Sequence, residues 1–178
     1  MGNSEKVAGA FVLTPAAGKK LIGVAVAAMP EVQNAYKRGR IAIANGTTTA
    51  YVVEALTGKP VRKYNFCIGA IADHRFNELV KEDRDPMLML NKGEPVTAPL
   101  AEFIREFERD DVFMKGANAV DPFGFAGGLQ GNPRGGTWAD VMGAITARGC
   151  HFICPVGQEK MIPSVVEAAK KLGQFKLT

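Results

Sequence analysis

Lys115, Asn118 and Asp121 fall in one short stretch, Lys115-Gly116-Ala117-Asn118-Ala119-Val120-Asp121. An ammonium, an amide and a carboxylate this close in sequence can neutralise an anion, orient a carbonyl and move a proton. Lys115 and Asp121 are therefore read as a catalytic pair, with Asn118 on the ligand. The plainer reading is an Asp-Pro turn beside a surface lysine. A second candidate is Asn45-Gly46-Thr47-Thr48-Thr49. Gly46 lets the backbone come close to a ligand, and three threonines set hydroxyls beside the unpaired N–H groups of a helix start. That combination suits a phosphate or carboxylate, although Thr47 alone would serve as an ordinary cap.

Two further loops carry candidates of the same kind. Gly127-Gly128 through Arg134-Gly135-Gly136-Thr137 ends at a helix start, where Arg134 could clamp an anion with two parallel hydrogen bonds. So many glycines make a loop costly to order unless something binds it, and a loose loop is the alternative. Glu159 lies in Pro155-Val156-Gly157-Gln158-Glu159-Lys160, where a helix dipole would stabilise its carboxylate with or without a ligand. Asp73-His74-Arg75 offers an acid–base pair or, more plainly, an exposed polar loop.

These loops need elements to hold them. Thr14-Pro15 reads as a helix start, and Leu21, Val24, Ala25 and Ala28 recur at helical spacing as a core-facing stripe. A second short helix ends at Arg38-Gly39. Ile41-Ala42-Ile43-Ala44, Phe66 to Ile71, Met87 to Leu90, Asp111 to Met114 and His151 to Cys154 read as buried strands. Helices follow with Val52, Val53 and Leu56, then Leu100, Phe103, Ile104 and Phe107 after a Thr97 cap. Two more carry Trp138, Val141, Met142 and Ile145 after a Thr137 cap, then Val165, Val166, Ala169 and Leu172. Alternating strands and helices predict an α/β fold of three layers (α/β/α), a mostly parallel sheet with helices on both faces. The whole chain, 1–178, reads as one domain in which N-terminal helices over 1–39 pack on a sheet domain over 40–178. A last strand would have to come from Gln174 to Leu177. In such a sheet ligands bind beyond the carboxyl ends of the strands, where these loops converge.

Composition narrows the function. A net charge of +4, with basic residues scattered and not interleaved with aromatics, argues against nucleic acid and suits a small acidic metabolite. Cys67, Cys150 and Cys154 are odd in number and sit in apolar runs, as buried free thiols of a reducing, cytoplasmic setting do. In an extended Cys150-His151-Phe152-Ile153-Cys154, the cysteines stand roughly 13 Å apart and His151 faces the other way, so no metal is expected. No apolar run of about 20 residues suggests a membrane span, and Lys6 breaks the myristoylation pattern opened by Met1-Gly2. Dinucleotide, Walker and Gly-x-Ser-x-Gly signatures are lacking, so no cofactor is assigned.

Two segments in order carry a family resemblance. Ile41-Ala42-Ile43-Ala44-Asn45-Gly46-Thr47-Thr48-Thr49 resembles a strand, Gly-Ser/Thr-Thr turn and helix. Lys115-Gly116-Ala117-Asn118-Ala119-Val120-Asp121-Pro122-Phe123-Gly124 resembles a Gly-Ala-Asp/Asn-Ala segment leading into glycines. Both belong to the superfamily of ribose-5-phosphate isomerase, glucosamine-6-phosphate deaminase, CoA transferases and 5-formyltetrahydrofolate cyclo-ligase. The resemblance spans about Arg40 to Pro163. It implies a three-layer sheet, a phosphate- or CoA-facing edge at Gly46 to Thr49, and a homo-oligomer. Asn118 stands where the isomerases have an acid, and 124–131 lacks the transferases' glutamate, so it implies a binding edge without naming a reaction. The expectation is an enzyme acting on a phosphorylated or carboxylated metabolite. The alternative is a ligand-sensing or assembly module of the same fold without turnover.

Overall fold

An apolar run with no polar alternation must be covered on both faces, and Ile41 to Ala44 is. A computed structural model of the chain describes residues 7–72 and 75–173. The elements in chain order are α1 (Pro15–Ala27), α2 (Pro30–Arg38), β1 (Arg40–Ile43), α3 (Thr47–Thr57), β2 (Gly69–Ala72), β3 (Arg75–Glu78), β4 (Leu88–Asn91) and β5 (Glu94–Pro95). They continue with α4 (Leu100–Arg105), β6 (Val112–Met114), β7 (Ala119–Val120), β8 (Ala126–Gly127), α5 (Gly136–Arg148), β9 (His151–Ile153) and α6 (Val165–Lys171). Asp73, His74 and Gln174 to Leu177 lie outside the described residues, as do Met1 and Gly2.

The main sheet has the order β5-β4-β1-β6-β9. Strands β1, β6 and β9 run parallel, with Ile43 opposite Met114 and Met114 opposite Ile153. Strand alternation divides their side chains between two cores. Ile41, Ile43, Val112 and Met114 join Val32 of α2 and Val52 of α3 on one face. Ala42, Ala44 and Phe113 join Phe103 and Ile104 of α4 and Val141 and Ile145 of α5 on the other. Phe113 stacks on Phe152 with ring centres 6.0 Å apart, and Trp138 meets Phe152 edge-on at 5.1 Å.

The chain is an α/β protein with a mixed sheet. A mostly parallel sheet was expected, but two of its four pairings, β5–β4 and β4–β1, are antiparallel. Between α3 and β4 the chain passes through β2, β3 and a 3-10 turn over Lys81–Asp83, and it enters β4 antiparallel to β1. Beyond β4, Lys92 and Gly93 both take positive φ, 51° and 81°, a pair that favours a tight hairpin into β5. Phe66 to Ile71 does not form one sheet strand either. Phe66 donates its N–H to the Arg62 carbonyl in a turn, and β2 pairs only with β3 in a separate ribbon.

Helix α1 also turns a different face inward. Gly23, Val26 and Ala27 are buried, whereas Leu21 and Val24 are 56% and 49% exposed. A Cβ on Gly23 would lie 2.6 Å from the Tyr51 backbone carbon, so the small face of α1 sits directly on α3. Lys20 fixes the same junction by donating to Glu54 at 2.9 Å. Hydrogen bonds from Lys63, Lys20 and the Val61 amide lower the Glu54 carboxyl from its ordinary 4.5 to about 2. Helix α6 buries none of its side chains, so the inward face expected of Val165 to Leu172 is not formed. Thr14 caps α1 as expected, accepting the Ala17 N–H at 3.2 Å, but the caps expected at Thr97 and Thr137 are not used. Pro99 precedes α4, and Gly135, at a φ of 83°, precedes α5. No helix among the described residues is long and apolar enough to cross a membrane.

Gly23→Val should destabilise the fold by about 1–3 kcal/mol, the usual cost of overpacking, read as a lower denaturation midpoint. The Glu54 contribution should be full above pH 4.5 and disappear as pH falls toward 2, because its folded pKa is depressed. Melting temperatures of Glu54→Gln should accordingly fall less steeply than wild type across that window.

Candidate functional site

Parallel register brings three strand ends to one edge. Ala44 donates its N–H to the Met114 carbonyl at 2.9 Å, and Lys115 donates its own to Ile153 at 3.2 Å. The turn after β1, Lys115 after β6 and Cys154 after β9 therefore lie side by side, at the edge where ligands bind in open α/β sheets.

The turn after β1 is built from the inside. Gly46 precedes α3 with extended dihedrals and donates its N–H to the Phe66 carbonyl at 2.8 Å. Thr49 is fully buried, and its hydroxyl lies 2.8 Å from the Ala44 carbonyl and 3.0 Å from that of Gly46. Asn45 donates from its amide to the Asp85 carbonyl at 2.8 Å. These two side chains brace the turn and are spent on the fold. Thr48 is buried, and Gly46 and Thr47 are the accessible part.

The next strand end is different. Lys115 is half-buried, and its ammonium has no hydrogen-bond or ion-pair partner among the described residues. Burial pushes its pKa below the ordinary 10.5, against a smaller opposing effect of Cys154. Lys160, in a 3-10 turn over Gln158–Lys160, donates to the Ala117 carbonyl at 2.5 Å. Its pKa is lowered by burial and by Lys19, with Glu159, Cys67 and Cys154 acting in opposition. Glu159 lies 3.7 Å from Lys19 of α1, and its carboxylate folds back over Gly157. Burial pushes the Cys154 thiol up, although Lys160 and Lys115 pull the other way. Lys115 and Lys160 thus act on one thiol, with Lys19 and Glu159 beside Lys160.

Asp121 is not part of this group. It is buried, and its oxygens accept N–H bonds from Phe123 and Phe125 at 3.0 Å and from Val165 at 2.9 Å. Burial raises its pKa, but the bonds from Val165, Phe125 and Phe123 outweigh that and hold it below 3.8. The carboxylate expected to pair with Lys115 is a staple between the Asp121-to-Gly124 turn and the start of α6. Asn118 is similarly committed, accepting the Leu129 N–H at 2.9 Å beside the β7–β8 ribbon.

Gly127 and Gly128 are needed for space. A Cβ on Gly127 would meet Val165 at 2.9 Å, and one on Gly128 would meet the Trp138 indole nitrogen at 2.8 Å. Arg134 has an exposed side chain and donates its backbone N–H to Asn132, while Thr137 lies inside α5 behind the paired turn glycines Gly135 and Gly136. Of the expected residues, Gly46, Thr47, Lys115 and Glu159 reach the common edge. Sequence reasoning missed Lys19, Lys160 and the placement of Cys154. Lys160 stood next to Glu159 in a strand-end loop, a signal that was on view.

Two surface hollows lie apart from this group. One of about 240 Å³ is lined by Arg38, Gly39 and Glu108 to Asp111, at the amino ends of β1 and β6. Asp111 there accepts from the Arg40 and Glu108 amides at 2.6 and 2.7 Å, which makes it structural. The other, about 260 Å³, is lined by Val53, Phe66 and Leu88 under an Arg62–Asp85 ion pair of 2.6 Å. The lysine group is the stronger candidate because it concentrates uncompensated charge. Comparisons with protein-family models, curated proteins and solved structures give no match.

Asp121→Asn should weaken the staple and lower the melting temperature. In wild type this contribution is present above pH 3.8 and is lost as pH falls through the depressed folded pKa, so the variant should show a shallower acid limb. The reactivity of Lys115 toward amine reagents should be the same in both proteins.

Proposed function

We propose that the chain binds a small anionic metabolite, phosphorylated or carboxylated, at the carboxyl edge of β1, β6 and β9 and acts on it as an enzyme. One observation carries this reading: Lys115 and Lys160 both act on Cys154 at this edge, with Lys19 and Glu159 adjoining Lys160. A half-buried ammonium without a partner is unfavourable in the empty protein, and an incoming anion relieves it. Unpaired N–H groups at the start of α3 add partial positive charge to the same edge. Gly46 and Thr47 would face the anion and Lys115 the reacting end, in place of the Lys115–Asp121 pair. The superfamily of sugar-phosphate isomerases and CoA transferases, with its three-layer sheet, belongs to this proposal, as do a cytoplasmic location and a homo-oligomer. The strand–Gly-Thr turn and the Lys-Gly-Ala-Asn segment at adjacent strand ends support it.

The second reading is a ligand-sensing or assembly module without turnover. It is favoured by Asp121, whose oxygens are occupied by backbone N–H groups and leave Lys115 without an acid partner.

Thermal-shift measurements with inorganic phosphate, sugar phosphates and acyl-CoAs test both. A ligand at 100-fold its dissociation constant should stabilise by about 2.7 kcal/mol. Lys115→Met and Lys160→Met should each remove most of that shift, and an unchanged shift in both would sink the anion site. Turnover of the best ligand, lost in Lys115→Met, would retire the module reading.

Lys115 also has a signature in the empty protein. Its folded pKa is lower than its unfolded one, so the unfolded chain binds more protons between the two. Stability should then rise with pH through that interval as the desolvated charge is neutralised. Lys115→Met should be more stable than wild type at neutral pH and show a smaller alkaline rise. Lys160, shifted the same way, should retain part of it.

A further inference from the structure

We propose that Lys115 is a nucleophile that forms an imine with the carbonyl carbon of a small substrate bearing an anionic group. This rests on the anion site proposed above and names the class of compound it takes. A lysine attacks carbonyls only as the free amine, and surface ammoniums held by carboxylates or water stay protonated. Lys115 has less of this support: it is half-buried at the end of β6, with no carboxylate partner among the described residues. Its neighbours divide the remaining work. Lys160 is anchored on the Ala117 carbonyl at 2.5 Å and Lys19 lies 3.7 Å from Glu159, so these two amines are fixed and suited to hold the anionic end. Cys154 acts on both Lys115 and Lys160 and therefore lies close to each. Burial pushes its thiol up, and its effect on Lys115 is smaller than that of the burial of Lys115 itself.

The step balances without a further reagent. The nitrogen lone pair adds to the carbonyl carbon, the two amine protons pass to the former carbonyl oxygen, and the carbon–oxygen bond breaks to release water as the carbon–nitrogen double bond forms. Hydrolysis reverses it. A carboxylate or phosphate next to the carbonyl would meet Lys160 and Lys19, while the carbon faces Lys115. A 2-oxo acid and a phosphorylated aldehyde share this chemistry.

The test uses the full chain incubated with glyoxylate, glycolaldehyde phosphate or uncharged glycolaldehyde, each with cyanoborohydride, followed by peptide mass mapping. The expected result is a reduced adduct on Lys115 at least ten-fold above that on any other lysine. Lys115→Arg should lack it, and Lys160→Arg should keep it at several-fold lower occupancy. Whichever charged probe gives more adduct assigns carboxylate or phosphate. Equal labelling of all lysines, or unchanged total labelling in Lys115→Arg, overturns the proposal. Should Lys115→Arg fail to fold, acylation of wild type across pH gives the answer: Lys115 must react with a midpoint below that of the other lysines, and an equal midpoint overturns the imine. A phosphate-induced thermal shift without any Lys115 adduct leaves the anion site standing and removes the imine. An adduct formed equally well with uncharged glycolaldehyde does the reverse.

Discussion

Everything at the carboxyl edge depends on the parallel register of β1 on β6 and of β6 on β9. Neighbouring strands lie roughly 4.8 Å apart, so a shared register aligns the residues that follow them. With Ile43 opposite Met114 and Met114 opposite Ile153, the next residues along are Ala44, Lys115 and Cys154. A one-residue slip of β6 would turn Phe113 out of its stack with Phe152 and send Val112 and Met114 to the wrong core. The packing that fixes the register is thus the same packing that brings a lysine and a thiol to the head of the sheet.

Much of this was readable before any coordinates. Continuous apolar runs marked β1, β6 and β9, and the glycines at 58, 124 and 149 marked turns and helix ends that are present with positive φ. Strand direction was less legible. Met87 to Leu90 has the apolar texture of a buried strand whichever way it runs, and only its pairing with β1 decides. The face of α1 was misjudged because a stripe of large residues usually faces the core. Here Gly23 permits so close an approach to Tyr51 that the small-residue side packs instead.

The site was half legible, for a related reason. Residue types announce what they can do, but hydrogen-bond partners decide what they are free to do. Asp121 and Asn118 have side chains capable of chemistry, yet backbone amides occupy both Asp121 oxygens and the Asn118 carbonyl oxygen. Thr49 lies in a turn suited to phosphate and uses its hydroxyl on the strand that precedes it. Lys19 was unremarkable in a chain with 22 basic residues, and only the fold brings it to Lys160 and Glu159.

The Asp121 staple has one more implication. A single carboxylate receives amides from Phe123, Phe125 and Val165, two from one turn and one from the start of a distant helix. Local opening releases together whatever shares an anchor. Amide hydrogen exchange at these three positions is therefore tied to one event, and the β7–β8 turn and α6 behave as a joint unit. Helix α6, with no buried side chain of its own, takes its persistence from a loop some forty residues earlier.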